Sequence, residues 1–360
     1  MGGSAGRPRA VAGRRPSTKH NTGGERAAHA ASVTQTRRPP SPAQEPRRMR
    51  VAVVMSTYQG ERYVDEQVAS ILAQLPPDGW LIVRDDGSRD GTVARVEALA
   101  AADPRIRLLR GENLGFARSF FALLASVPPE AELAMLADQD DVWLPDKIER
   151  AARALQGRAG PTLYFSRLWL VDESLRRFGV TLGWPRGPSF ENALAENIVT
   201  GCTIALNPAA VQLVLRLGDA SRIHFHDWWI YLVVSAFGTV VADPEPSVNY
   251  RQHGGNVVGR GSGWRRYLVN LQFIRRSSWV HIMYNQLENF RAAHGANLSP
   301  AQRTLMDRYF DPRNAASVLR LLLVPRRHRQ LLADEFLLRG LVLWDVLSGR
   351  GLLPKEKRAP

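Results

Sequence analysis

The chain's 360 residues, 44% hydrophobic and 23% charged, suffice for one large or two ordinary folded domains. A single cysteine, Cys202, excludes an intrachain disulfide framework and fits a reducing compartment. No apolar run reaches the ~18 residues that a membrane-spanning helix needs, and no apolar leader core opens the sequence, so a cytoplasmic protein is expected.

The formal charge is +14, and residues 1–48 supply more than half of it, with ten basic residues against two acidic ones. That segment is rich in Gly, Pro, Ser and Arg and nearly free of large apolar side chains. It cannot bury enough surface to offset chain entropy, so a disordered basic tail is expected over 1–48. Such a tail suits nucleic acid or anionic lipid; equally, translation could start at Met49, directly before the first ordered element.

Residues 51–55, VAVVM, form an unbroken apolar run of the kind found in a strand covered on both faces. Apolar positions Val64, Val68, Ile71, Leu72 and Leu75 then mark a helix that PPDG ends. WLIVRDDGSRDGT is a second strand running into Asp85, Asp86 and a turn. GTVARVEALAAA predicts a helix, RIRLLR a third strand, FARSFFALLASV a helix, and ELAMLA a fourth strand ending at Asp138. Strands alternating with helices in this way predict an α/β protein with a doubly wound, mostly parallel sheet. Beyond it, TLYFSRLWLVD predicts a strand or half a hairpin, and NIVTGCTIALN a strand whose Gly201 permits close backbone approach. IHFHDWWIYLVVSAFGTVVAD predicts a His–Asp pair, an apolar helix and a short strand, and YRQHGGNVVG a glycine loop. The remainder is expected to be helical, which divides the chain into a catalytic domain over 49–260 and a helical extension over 261–360.

In open parallel sheets, ligands bind outside the carboxyl ends of the strands. Three polar clusters converge there: Ser56, Thr57 and Tyr58 after the first strand, Asp85 and Asp86 after the second, and LADQDDVW after the fourth. Carboxylates as close as Asp138, Asp140 and Asp141 raise one another's pKa unless a cation sits among them. Asp138 and Asp140 suit Mg²⁺ or Mn²⁺, which takes few protein ligands and completes its shell with substrate phosphate and water. The competing reading is a solvated loop capping the next helix, for which Asp141 or Asp146 is the better candidate. One of Asp85 and Asp86 is expected to hold the turn and the other a base or ribose; spacing alone does not separate them. Asp227, before two tryptophans, is either a helix N-cap or a general base on a sugar hydroxyl; residue type alone favours the cap. His253 is either a loop residue or a further contact for phosphate or metal.

Taken together, VVMSTYQGERYVDEQVASILAQ, IVRDDGSRDGT, NLGFARSF, LADQDDVWLPDKI, TGCTIALN, HDWW and YRQHGGNVVG resemble the family 2 glycosyltransferases of GT-A fold. DQDDVWLPDKI with HDWW is most similar to their bacterial rhamnosyltransferase-like branch, which builds surface polysaccharide and often uses dTDP-L-rhamnose. The resemblance implies that Thr57 and Tyr58 line the base pocket and that Asp86, with Asp85 close by, binds base or ribose. It implies that Asp138 and Asp140 form the D-x-D metal and donor element, Asp140 making the direct metal contact. It also implies that Asp227 is the base of an inverting displacement, although His226 stands where many relatives have Glu. The acceptor would be a saccharide or a lipid-linked saccharide. The C-terminal leucines and arginines, outside the resemblance, suit peripheral contact with an anionic membrane or ordinary packing.

Three rivals remain. A nucleic-acid-binding protein is disfavoured because most of the excess charge lies in the tail. A nucleotidyltransferase would need a glycine-rich basic loop where STYQGERY stands, and a dinucleotide dehydrogenase a G-x-G-x-x-G after the first strand.

Overall fold

The computed structural model describes residues 49–253 and 279–353. The expected tail over 1–48, the glycine loop beyond His253 and the first part of the C-terminal extension lie outside those residues.

The first half follows the predicted alternation: β1 (Val51–Thr57), α1 (Val64–Leu72), β2 (Trp80–Asp85), α2 (Thr92–Ala102), β3 (Ile106–Arg110), α3 (Phe116–Ala125) and β4 (Leu133–Ala137). These four strands are parallel in the order β3-β2-β1-β4. Both faces of β1 are covered: Val51, Val53 and Met55 pack with Val64, Val68 and Ile71 of α1, while Val54 joins Phe120 and Leu124 of α3. Double coverage explains why the strand is an unbroken apolar run rather than an alternating one.

The second half comprises β5 (Val142–Trp143), α4 (Lys147–Leu155), β6 (Thr162–Val171), β7 (Arg177–Val180), α5 (Phe190–Ala195), β8 (Ala205–Leu206), α6 (Pro208–Val214), α7 (His226–Phe237) and β9 (Thr239–Arg251). They extend the sheet to β3-β2-β1-β4-β8-β6-β9-β5, with β7 beside β6. Strand β8 is antiparallel to β4 and β6, β5 is antiparallel to β9, and β6 runs parallel to β9, so the sheet is mixed beyond β4. The β6–β7 pair is the predicted hairpin.

Two expectations need correction. NIVTGCTIALN is mostly not a strand: Thr203 donates its backbone N–H and its hydroxyl to Thr200 O, winding Gly201–Thr203 into a 3₁₀ turn before the two-residue β8. The strand after α7 is not short but thirteen residues long. Its prolines, which cannot donate to a ladder, coincide with register shifts against β6 around Arg167, where Pro246 is the partner.

The C-terminal helices are α8 (Trp279–His294), α9 (Pro300–Tyr309), α10 (Ala315–Leu323) and α11 (Leu332–Leu347). Sequence sets their starts: Ser299 and Gln302 form a capping box ahead of α9, and Asn314 accepts from Ala316 and Ser317 N–H ahead of α10. Helix α8 sends Met283, Tyr284, Leu287 and Phe290 into the same core as Trp228, Trp229 and Tyr231 of α7. Trp279 stacks on Trp228 at 5.0 Å. Helix α7 is apolar on nearly every side, as a helix enclosed by sheet and helices must be.

Candidate active site

The carboxyl ends of β1 and β2 meet at Asp85, which accepts from Thr57 Oγ1 at 3.1 Å, Gly87 N at 3.1 Å and both the N–H and hydroxyl of Ser88 at 2.8 and 2.6 Å. Asp85 therefore holds the turn. Asp86 binds the Arg84 guanidinium and accepts from Leu114 N at 2.8 Å and Gly115 N at 2.9 Å, anchoring the loop that leads into α3. Both carboxylates are buried among protein donors, whereas Tyr58 is half exposed. Gln139 of the DQDD run clasps the backbone of Tyr58 twice: its Oε1 accepts from Tyr58 N, and its Nε2 donates to Tyr58 O, each at 2.9 Å. Gly60 is required beneath this clasp, because a Cβ there would lie 2.1 Å from Gln139 Oε1.

After β4 the three aspartates separate by environment. Asp138 and Asp140 are half-buried, and Asp141 is fully buried. Ligand atoms of Asp138, Asp141 and Cys202 lie within 4.8 Å of one another. Burial, then the charges of Asp140 and Asp227, push the Asp138 carboxyl up to about 7. Burial, then the charges of Asp140 and Asp138, raise the Asp141 carboxyl well above the usual carboxylate range. Behind them Lys147 is fully buried, donates to Cys202 O at 2.9 Å and lies 4.5 Å from the Trp143 ring centroid. Burial lowers this ammonium to about 8, against the opposing pull of Cys202 and Asp141. Asp141 thus faces an internal cation and caps no helix. Asp146 does occupy the N-cap position of α4 but makes no side-chain capping bond, forming instead a 3.6 Å ion pair with Arg150.

Asp227 is not the N-cap of α7, since Phe225 holds that position without a side-chain bond; Asp227 lies in the first turn and accepts from Trp228 N at 2.7 Å. The fold brings the end of β4 and the start of α7 together, since His226 lies against Gly201 and the Cys202 sulfur of the same turn lies within 4.8 Å of a carboxylate oxygen of Asp138. His226 stacks on Phe120 at 4.1 Å and meets Phe116 edge-on at 6.0 Å. Neither of its ring nitrogens has a hydrogen-bond partner, and burial lowers its pKa to about 4, so the ring is neutral. Gly201 makes room for it: a Cβ there would lie 2.7 Å from His226 Nε2.

The end of β9 closes the site. Arg251 donates to Asp140 O at 2.9 Å, pairs with Glu66 and lies over the Tyr63 ring at 4.7 Å, while its N–H reaches Asp141 Oδ1 at 3.2 Å. His253 Nε2 lies 2.7 Å from Asp140 Oδ2. The carboxylate oxygens of Asp138 and Asp140 are hard donors of the kind that suits Mn²⁺ or Mg²⁺, and His253 adds a softer imidazole beside Asp140. Sequence reasoning assigns no site role to Gln139, Lys147, Cys202 or Arg251. The first two lie inside or next to the acidic run but look like solvated residues, and the last two come from distant segments.

Two outcomes follow from this electrostatic arrangement. Lys147→Met should destabilise the protein by about 2 kcal/mol, because the buried Cys202 carbonyl loses its donor, and urea denaturation would show it. His226 has a folded pKa below its unfolded one, so its contribution is complete above about pH 6.5 and is lost as pH falls toward 4. About 2 kcal/mol should be gone by pH 5. Denaturation midpoints of His226→Leu should fall correspondingly less between pH 7 and pH 5 than those of the unaltered protein.

The glycosyl transferase family 2 model matches residues 52–205. An uncharacterized glycosyltransferase of Haemophilus influenzae is 27% identical over 216 residues, covering 57% of this chain and 66% of that protein. The dTDP-rhamnosyl transferase RfbG of Shigella flexneri is 26% identical over 245 residues, 65% of this chain and 83% of its own. The UDP-Glc:alpha-D-GlcNAc-diphosphoundecaprenol beta-1,3-glucosyltransferase WfgD of Escherichia coli is 31% identical over 185 residues, 51% of this chain and 69% of its own. With the acidic edge of the sheet facing the first turn of α7, these likenesses show that the chain belongs to glycosyl transferase family 2.

Proposed function

We propose that this glycosyltransferase moves a sugar, rhamnose from dTDP-L-rhamnose being the first choice, from a nucleoside-diphosphate donor to a saccharide hydroxyl with inversion. The acceptor would be a lipid-linked saccharide in cell-surface polysaccharide synthesis. Likeness to RfbG supports the donor, and likeness to WfgD, whose name carries a diphosphoundecaprenol-linked acceptor, supports the acceptor. Family membership displaces the nucleotidyltransferase and nucleic-acid readings.

The observation that supports the mechanism most directly is the placement of the first turn of α7 against the Gly201–Thr203 turn, whose Cys202 lies beside Asp138. Asp227 takes the proton of the acceptor hydroxyl as that oxygen attacks the anomeric carbon, opposite the departing nucleoside diphosphate. The tryptophans after it and the neutral His226 keep the side of α7 behind the carboxylate dry. Thr57 and Tyr58 line the base pocket, and Gln139 fixes the Tyr58 backbone within it. Asp85 and Asp86 shape that pocket by holding the turn and the Leu114–Gly115 loop. An Mn²⁺ or Mg²⁺ ion held by Asp140 and Asp138, with His253 beside Asp140, would supply positive charge to the leaving diphosphate.

A screen of nucleotide-sugar donors, dTDP-L-rhamnose first, with release of nucleoside diphosphate as readout, tests the donor assignment. Asp227→Asn should retain donor binding and lose about two orders of magnitude or more in turnover; transfer near the unaltered rate removes the base role. Asp140→Ala should weaken Mn²⁺-dependent donor binding in calorimetry, and unchanged metal dependence would count against its place in the metal set.

A further inference from the structure

The two helices α10 and α11 are built inside out. Outward-facing residues of a surface helix are normally polar. Here the exposed side chains include Leu319 and Leu323 on α10 and Leu332, Phe336, Leu343, Trp344, Val346 and Leu347 on α11. Phe336 is 65%, Trp344 61%, Leu323 74% and Leu347 76% exposed. On α11 the spacing of Leu332, Phe336, Leu343 and Leu347 gathers them on one stripe. The opposite stripe, buried against the protein, holds Asp334, Glu335, Leu338, Val342 and Asp345.

Charge follows the same inversion. Every carboxylate between residues 313 and 350 is buried, namely Asp334, Glu335 and Asp345. The exposed charged residues of that stretch are all arginine: Arg313, Arg320, Arg326 and Arg350. Arg320 and Arg350 have no carboxylate partner among the described residues. Large apolar side chains with a tryptophan among them, ringed by cations and lacking anions, match an anionic lipid surface. A second copy of the chain matches it poorly, because a two-fold contact would set arginines against arginines.

We infer that the outer face of α10 and α11 docks on an anionic membrane surface, with Phe336, Trp344 and Leu347 entering the headgroup region and Arg320 and Arg350 pairing with lipid phosphate. No helix among the described residues is long and apolar enough to cross a membrane, so the contact is peripheral. The docking face is fixed to the catalytic core. Arg326 makes paired bonds of 2.5 and 2.7 Å to Glu191, Asn192 donates to His328 O at 3.0 Å, and Gln330 N reaches Glu196 at 2.7 Å. Those three partners belong to α5 or directly follow it, and α5 packs on α7 through Trp228 Nε1 donating to Ala193 O at 2.7 Å. The inference extends the lipid-linked acceptor reading, and its test uses neither donor nor acceptor, so the two can fail separately.

The full chain should co-float with vesicles of mixed phosphatidylglycerol and phosphatidylcholine, more weakly in high salt, and not with phosphatidylcholine alone. Combining Phe336→Ser with Leu347→Ser should lower the affinity about tenfold or more, with an unaltered thermal midpoint because both side chains are exposed. Arg320→Gln with Arg350→Gln should lower it severalfold and flatten the salt dependence. Three results would overturn the inference. They are a full chain that stays unbound, an apolar-pair variant that floats like the unaltered protein, which assigns binding to another segment, and light scattering that shows a dimer lost in the apolar pair while flotation is unchanged.

Discussion

Negative charge gathered at the end of a buried strand is the constraint on which this structure turns. Asp138, Asp140 and Asp141 follow β4 directly, and Asp227 adds a fourth carboxylate from α7. At Asp138 and Asp141 burial and like charge both oppose ionisation. The protein answers from two sides. Lys147 supplies an internal cation beneath Asp141, and Arg251 ties the loop from outside through the Asp140 carbonyl and the Asp141 carboxylate. What remains on the crevice side is the part a donor and its cation would meet.

The neighbouring elements exist to hold this loop still. Gln139 joins it to β1 through the Tyr58 backbone, and Gln67 of α1 donates to the Asp138 carbonyl at 2.8 Å. Ser70 accepts from Trp143 N at 3.0 Å. The 3₁₀ turn of Gly201–Thr203 brings the Cys202 sulfur against the acids and the Gly201 backbone against His226. A strand through those positions would alternate its side chains across the sheet and could not place both neighbours so. Thus the irregular second half of the sheet is irregular where the site needs it.

The parallel half of the fold was legible because strands covered on both faces must be apolar throughout, as VAVVM and LAMLA are, and each ends in polar residues. The convergence of Thr57, Asp85, Asp138 and Asp140 could be read for the same reason: strand ends share one edge. The roles inside the cluster were less visible. Asp141 and Asp140 are adjacent and chemically identical, and only burial separates them. Arg251 meets Asp140 across 111 residues of chain, and Lys147 meets Cys202 across 55, distances over which local pattern carries no information. Asp227 reads as a cap because a carboxylate at a helix start usually is one, whereas here Phe225 holds the N-cap position and Asp227 falls within the first turn.

One consequence follows from the way β9 spans the sheet. The chain from Asp227 to His253 is a rigid ruler: a helix of twelve residues, a corner at Gly238, and a strand of thirteen. The corner takes only glycine, since a Cβ at Gly238 would come within 2.2 Å of Pro161 O, and the far end is pinned by Gln252 N to Val171 O at 2.9 Å. Adding or removing one residue along that strand would turn Arg251 to the wrong face of the sheet. The separation between the first turn of α7 and His253 is therefore written into chain length itself, and the hairpin tip is tied to the same strand end, since Glu173 O accepts from Arg251.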